Sequence, residues 1–188
     1  INGVKQLKPN SIIEFDLSKK KMIKSNEKLI IEKTNSEKQF FNINHLENKI
    51  IKSVDLRLQS DVNTGLLLSS GIDSSLIASI SSKIDKNINS FSVGFDHIYK
   101  NDDETEIASD ISKKLGIKNH KLVLDKKDIL KFINNIEYAF DEPFADSSQI
   151  PTYLVSKLAR NDVKVALTGD GADEILCGYN RYQVSKKL

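Results

Sequence analysis

Two short stretches carry residue types that could do chemistry at a phosphate. The first is Ser69-Ser70-Gly71-Ile72-Asp73-Ser74-Ser75, which holds four serines, a glycine and a carboxylate. The second is Thr168-Gly169-Asp170-Gly171-Ala172-Asp173-Glu174, whose last five residues include three carboxylates. The first stretch follows a continuous apolar run at 65–68 and precedes Leu76, Ile77, Ile80 and Ile84 at helical spacing. It therefore reads as buried strand, loop and helix, with that apolar stripe laid on a sheet. A Ser/Gly turn in that position aims backbone N–H groups, hydroxyls and the positive end of a helix dipole at one point, which makes a phosphate cradle.

Two common cradles are excluded. A Walker A loop closes its glycine run with Lys-Ser or Lys-Thr, and no lysine lies between Lys52 and Lys83. No G-x-G-x-x-G follows any candidate strand, so the dinucleotide fingerprint is absent. Asp73 is then the informative residue. It could simply cap the helix. Alternatively, a carboxylate beside a phosphate needs a cation between them, and Mg²⁺ takes one or two carboxylates together with phosphate oxygens. Both readings stand at this loop taken alone. In the second loop, Gly169 and Gly171 let backbone approach a nucleotide closely. Asp170, Asp173 and Glu174 side by side call for a cation or a shared proton, unless they only enrich a helix N-terminus in acid.

The elements that must position these loops alternate along the chain. Residues 11–17 alternate as a strand, 18–20 turn, and 21–23 begin a return strand. Residues 1–34 form a β segment too small to be stable alone, and the polar residues 35–42 are a linker. Within 43–58, Leu46, Ile50, Ile51, Val54 and Leu58 define an amphipathic helix. Residues 88–95 make a second buried strand. A helix capped by Asp102 or Asp103 carries Ile107, Ala108, Ile111 and Leu115, and Gly116 stops it. Residues 120–124 form a strand, Ile129, Ile133, Ile136 and Phe140 mark a helix, and Pro151 opens another with Leu154, Val155 and Leu158. Residues 163–167 are a strand that leads into the second acidic loop. The expected fold class is α/β, a doubly wound parallel sheet, with the β segment in front. Ligands of such sheets bind at the carboxyl ends of the strands, near the switch point. If the two loop-bearing strands are neighbours, Asp73 and Asp173 converge on one Mg²⁺ and its phosphates.

Composition narrows the partners. The 188 residues carry 28 basic and 26 acidic side chains, a net charge of +2. That leaves no excess to recruit nucleic acid. No apolar run reaches membrane-spanning length, and no signal peptide is expected. The single cysteine, Cys177, cannot form an internal disulfide, so a reducing compartment, the cytoplasm, is expected. Cys177 is read as a small packed residue. His45, His97 and His120 are scattered without a second ligand at metal spacing. The chain opens on Ile1 and ends within a helical pattern, so it is expected to be part of a longer protein.

Residues 69–75 resemble the S-G-G-x-D-S pyrophosphate loop of the N-type ATP pyrophosphatases, with Ser70 where glycine is usual. Its fit turns on whether that position has a positive φ. Over residues 44–182 the chain resembles the synthetase domain of the glutamine-dependent asparagine synthetase family. The likeness rests on that loop, on Ser90-Phe91-Ser92-Val93-Gly94-Phe95, on a Glu-Pro loop at 141–148, on Thr168-Gly169-Asp170-Gly171-Ala172-Asp173-Glu174 and on Cys177-Gly178-Tyr179.

The resemblance implies an adenine nucleotide alpha hydrolase-like, Rossmann-like domain over 43–188, lacking its C-terminal part. Residues 1–34 would be the trailing strands of an N-terminal glutaminase domain. It implies ATP and Mg²⁺ as cofactors, with possible homodimers and neither nucleic acid nor membrane as partner. The chemistry would be ATP-dependent activation of a carboxylate as an acyl adenylate, pyrophosphate release, and displacement of AMP by glutamine-derived ammonia. Pyrophosphate would be held by Ser69, Ser70, Gly71, Ser74 and Ser75, the metal by Asp73 and Asp173, and adenosine at Leu67, Val93, Thr168 and Gly169. Asp170 matches a carboxylate, often Glu, that handles the proton as ammonia attacks. Glu142, Glu174 and Tyr179 fall in the substrate region. A family lysine that neutralises the transition state lies beyond Leu188. Aspartate is the leading acceptor. A sugar acid of a surface polysaccharide is the alternative, and a nucleotide-binding regulatory module without turnover is the second.

Overall fold

A computed structural model describes residues 3–8, 11–26, 42–96, 104–134, 136–140 and 146–185. The chain divides into two compact units, Ile1–Ile43 and Asn44–Leu188.

The first unit contains an antiparallel hairpin of β1 (Ile12–Asp16) and β2 (Lys21–Asn26), with a bulge between Glu14 and Phe15. The turn is set by Asp16, whose Oδ1 accepts from the Ser18 and Lys19 amides and from the Ser18 hydroxyl. Those hydrogen bonds, the Ser18 hydroxyl first, hold the Asp16 carboxyl below its usual range. Ile12, Ile13, Phe15, Met22 and Ile23 are all exposed. The expected linker lies almost entirely outside the described residues.

In the second unit, α1 (Ile43–Leu58) leads to β3 (Thr64–Leu67), α2 (Ile72–Ile84), β4 (Asn89–Phe95), α3 (Thr105–Leu115) and β5 (Lys118–Leu124). Then come α4 (Lys126–Ile133), a 3₁₀ turn (Ile136–Tyr138), α5 (Gln149–Ala159), β6 (Val165–Leu167), α6 (Ala172–Leu176) and α7 (Asn180–Ser185). The four strands β3 to β6 form one parallel sheet in the order β5-β4-β3-β6. The chain winds outward from β3 through β4 to β5, then returns to place β6 on the other side of β3. The direction of winding reverses between β3 and β6, which is the switch point of a doubly wound sheet.

Each face of the sheet has its own core. On one, Leu66, Leu68 and Leu167 meet Val54 of α1, Ala78 and Ile80 of α2 and Ala108 of α3. On the other, Phe91 packs with Val155, Ala159 and Val163, flanked by Leu67, Val93 and Leu158. Strand residues of alternating parity enter opposite cores, as the pleat requires.

Several expectations are corrected. The buried side of α2 is Ser74, Ala78, Ile80, Ser81 and Ser82, whereas Leu76 and Ile84 are exposed. Four of these five buried side chains are small. In α3, Ala108 is buried and Ile111 and Leu115 pack on the same core as expected, joined by buried Thr105 and Ser112, whereas Ile107 is exposed. Gly116 does end α3, in the left-handed conformation at φ 70°. The helix expected to run to Phe140 stops at Ile133 and buries Phe132 instead. Its start is fixed by a capping box between Asp125 and Asp128. Cys177 is exposed rather than packed, because it ends the short α6 in a left-handed turn at φ 58°. The caps expected at Asp102 or Asp103 lie outside the described residues.

Candidate functional site

The first loop leaves β3 at Leu67 and enters α2 at Ile72, and serine hydroxyls knit it together. Ser74 Oγ accepts from the Ser69 amide at 3.2 Å, lies 2.9 Å from Ser69 Oγ and reaches the Gly71 carbonyl at 3.1 Å. The Gly71 amide donates to Ser69 Oγ at 3.1 Å, and the Ser75 hydroxyl donates to the Gly71 carbonyl at 2.7 Å. Ser74 is thus turned inward as the knot of the loop. The Ser70 amide points elsewhere and donates to Glu104 Oε2 at 3.1 Å.

Ser70 has no positive φ, since Lys20 and Cys177 are the residues other than glycine that do among those described. A side chain where relatives of the loop have glycine is therefore accommodated without backbone strain. The N-cap of α2 is Gly71, and no side chain caps the helix. Asp73 sits one position inside the first turn, so the capping reading of Asp73 fails.

The second loop leaves β6 at Leu167, beside Leu66 of β3. The Asp170 amide donates to Thr168 Oγ1 at 3.3 Å. Gly171 takes φ 88° to open α6. A Cβ at Gly169 would stand 2.8 Å from the Ser74 amide nitrogen and 3.0 Å from Asp73 Cβ. The two loops are therefore in direct backbone contact, and only hydrogen at Gly169 permits it.

A cavity of about 550 Å³ opens beside this contact. Its wall includes Asp73, Thr168, Gly169 and Asp170, with Leu46 and Ile50 of α1 and Leu76 and Ile77 of α2. Asp173 is not part of the wall. Its carboxylate lies against the α carbon of Gly178, where a Cβ would collide with Oδ1. Among the described residues, no three His, Cys, Asp or Glu side chains cluster as a metal site.

The residues assigned to adenosine gather on three adjacent strands. Leu67 ends β3 opposite Phe91 of β4, Val93 lies two residues further along β4, and Thr168 and Gly169 follow β6. Past α6, the Tyr179 hydroxyl donates to Glu174 Oε1 at 2.8 Å, and the Arg181 guanidinium covers the Tyr179 ring at 4.1 Å. The bond holds the Glu174 carboxyl below its ordinary range and pushes the Tyr179 phenol up. Glu142 lies outside the described residues. His120 stacks on Phe91 at 5.0 Å, in the sheet rather than in a metal site. The contact of Glu104 with Ser70 spans 34 residues, and no local pattern could have revealed it.

A four-stranded parallel sheet, a switch point and a serine loop against a Gly-Asp-Gly loop define a doubly wound α/β domain with the adenine nucleotide alpha hydrolase-like fold. Its fold is shared with a glutamine-dependent NAD⁺ synthetase of Acinetobacter baumannii, solved in complex with ADP, at a TM-score of 0.54 and 16% identity over 89% of this chain and 31% of that one. The chain belongs to the asparagine synthase family, whose sequence profile matches residues 45–188. It is 38% identical to asparagine synthetase [glutamine-hydrolyzing] 1 of Bacillus subtilis over 75% of its own length and 22% of that protein. A probable asparagine synthetase [glutamine-hydrolyzing] of Acanthamoeba polyphaga mimivirus is 32% identical over 94% of this chain and 36% of its own length, a match that reaches into the hairpin unit. The chain thus spans about a quarter to a third of these relatives. No helix among the described residues is long and apolar enough to cross a membrane.

Proposed function

We propose that the protein carrying this chain amidates a carboxylate at the expense of ATP, through an acyl adenylate. The leading acceptor is aspartate, the nitrogen comes from glutamine, and the products are asparagine, AMP and pyrophosphate. One observation carries this reading: the backbone contact of Gly169 with Asp73 and Ser74, which joins the two loops at the carboxyl ends of neighbouring strands.

The uncapped start of α2 offers amides to the β- and γ-phosphates, and Ser74 keeps the loop in shape around them. Leu67, Val93, Thr168 and Gly169 would flank adenosine. Asp73 lines the cavity, and one or two carboxylates together with phosphate oxygens suit Mg²⁺. Asp173, the second ligand expected, would have to turn away from Gly178 to join Asp73. When bound, the cation supplies neutralisation of charge on the departing pyrophosphate. Asp170, on the loop facing the cavity, would take the proton as ammonia attacks. Residues 1–34 are assigned to the edge of a glutaminase domain, a reading supported by their exposed apolar side chains and by the mimivirus match.

The test is pyrophosphate release from MgATP by the full-length protein, with aspartate and then a panel of sugar acids, supplied with ammonium or glutamine. Release with aspartate is expected. Release only with another acid moves the acceptor and keeps the mechanism, and nucleotide binding without release overturns the enzyme reading. Asp73→Asn should lower the rate by roughly a hundredfold or more with thermal unfolding unchanged. Normal turnover in that variant would refute the metal role of Asp73.

A further inference from the structure

The loop amides differ in where they point. Ser69 and Gly71 spend theirs on serine hydroxyls within the loop, at 3.2 Å and 3.1 Å. Ser70 turns its amide outward, and a carboxylate oxygen of Glu104 already holds it at 3.1 Å. We infer that Glu104 is a resident anion of this loop, occupying the Ser70 amide until a pyrophosphate group displaces it. The inference rests on the phosphate-loop reading above and adds a residue that sets how tightly the loop takes its ligand.

The placement of Glu104 is not incidental. It stands immediately before α3, where Thr105 is fully buried and Ala108 donates its amide to the Glu104 carbonyl at 3.0 Å. Lys121 of β5 binds Glu106 at 2.6 Å and ties the same turn to the sheet. The Glu104 side chain caps nothing in α3, so its hydrogen bond serves the loop and not its own helix. An amide bonded to a carboxylate is the interaction an anion site offers. A phosphate oxygen seeks the same amide, and two anions cannot share it, because like charges that close repel unless a cation intervenes. Ligand entry therefore expels Glu104 from Ser70, and the cost of expulsion weakens binding.

The experiment is calorimetric titration of the full-length protein with magnesium pyrophosphate, comparing the parent with Glu104→Gln and Glu104→Ala. Both variants should bind about fivefold tighter, the scale of one exposed hydrogen bond. The Ser70 amide resonance should shift between parent and variants without ligand and coincide once pyrophosphate is bound, which a purely structural role would not produce. Equal or weaker binding in both variants overturns the inference and leaves the phosphate loop standing. If neither parent nor variants bind pyrophosphate, the phosphate-loop reading itself falls and the inference with it.

Discussion

Glu174 and Tyr179 hold each other across the end of α6, and their two shifts set a pH window. Glu174 is lowered, so its contribution is complete above the unfolded carboxyl value of about 4.3 and is lost as pH falls through the lower folded value. Tyr179 is raised, so its contribution is complete below about 10 and is lost as pH rises through the higher folded value. The bond therefore persists across the neutral range and breaks at both extremes. Removing the hydroxyl with Tyr179→Phe should return the Glu174 carboxyl toward its ordinary range, followed by carbon NMR titration of that group. An unmoved titration would mean that the tyrosine is not the cause. At this scale the sequence marks candidate residues by type and leaves open what they touch. Asp73, Ser74 and Gly169 were marked by type and spacing, but whether Ser74 faces inward or Asp73 caps a helix depends on angles that spacing does not encode. Glu142 remains an expectation from the family pattern alone.

The two strand-loop-helix elements meet at Gly169, and the contact makes a distinction between the loop glycines. Alanine at Gly169 would press into the Ser74 amide and Asp73, backbone that cannot yield without moving the first turn of α2. Gly169→Ala should cost about 1–3 kcal/mol and weaken pyrophosphate binding as the loops part. Gly171 has open space around it but φ 88°, so its constraint is conformational, and Gly171→Asn should cost less, because asparagine enters the left-handed region readily. Urea unfolding of the two variants checks the order, and a Gly171→Asn loss as large as that of Gly169→Ala would refute it. Element type was legible because strands and helices alternate with clear apolar runs, and α1 matches its expected bounds of 43–58. Helix faces were less legible. Apolar spacing points to Leu76, Ile77, Ile80 and Ile84 on α2; Ile80 is buried and Ile77 packs on the core, but Leu76 and Ile84 are exposed and Ala78, Ser81 and Ser82 complete the buried side. For α4, spacing ran on past Ile133 because Ile136 and Phe140 keep the period, although the backbone there has already left the helix for a 3₁₀ turn.

Across the whole second unit, the meeting of the two loops is a consequence of winding order. The β3-α2-β4 and β4-α3-β5 connections lay their helices on one face, and the return from β5 to β6 lays α5 on the other. This follows from right-handed crossovers once the direction reverses. Alternation of elements announced such a sheet in the sequence. The adjacency of β3 and β6 was conditional until the register of Leu66 with Leu167 was known, because strand order is fixed by long-range packing. The α5 face holds the second loop in place: Val163 belongs to its core and lies just before β6, which delivers Thr168, Gly169 and Asp170. Phe91 is the largest side chain of that core. It is wholly buried, stacked on His120 and pressed against Gly65 of β3. Phe91→Ala should therefore cost about 3–5 kcal/mol in urea unfolding with an unchanged denaturant slope. Because β6 loses its backing, pyrophosphate affinity should fall even where the variant remains folded. A loss below about 1 kcal/mol, the size of an ordinary surface change, would show that the α5 face is not a second core and that the Gly169 loop is positioned from the α1 and α2 side alone.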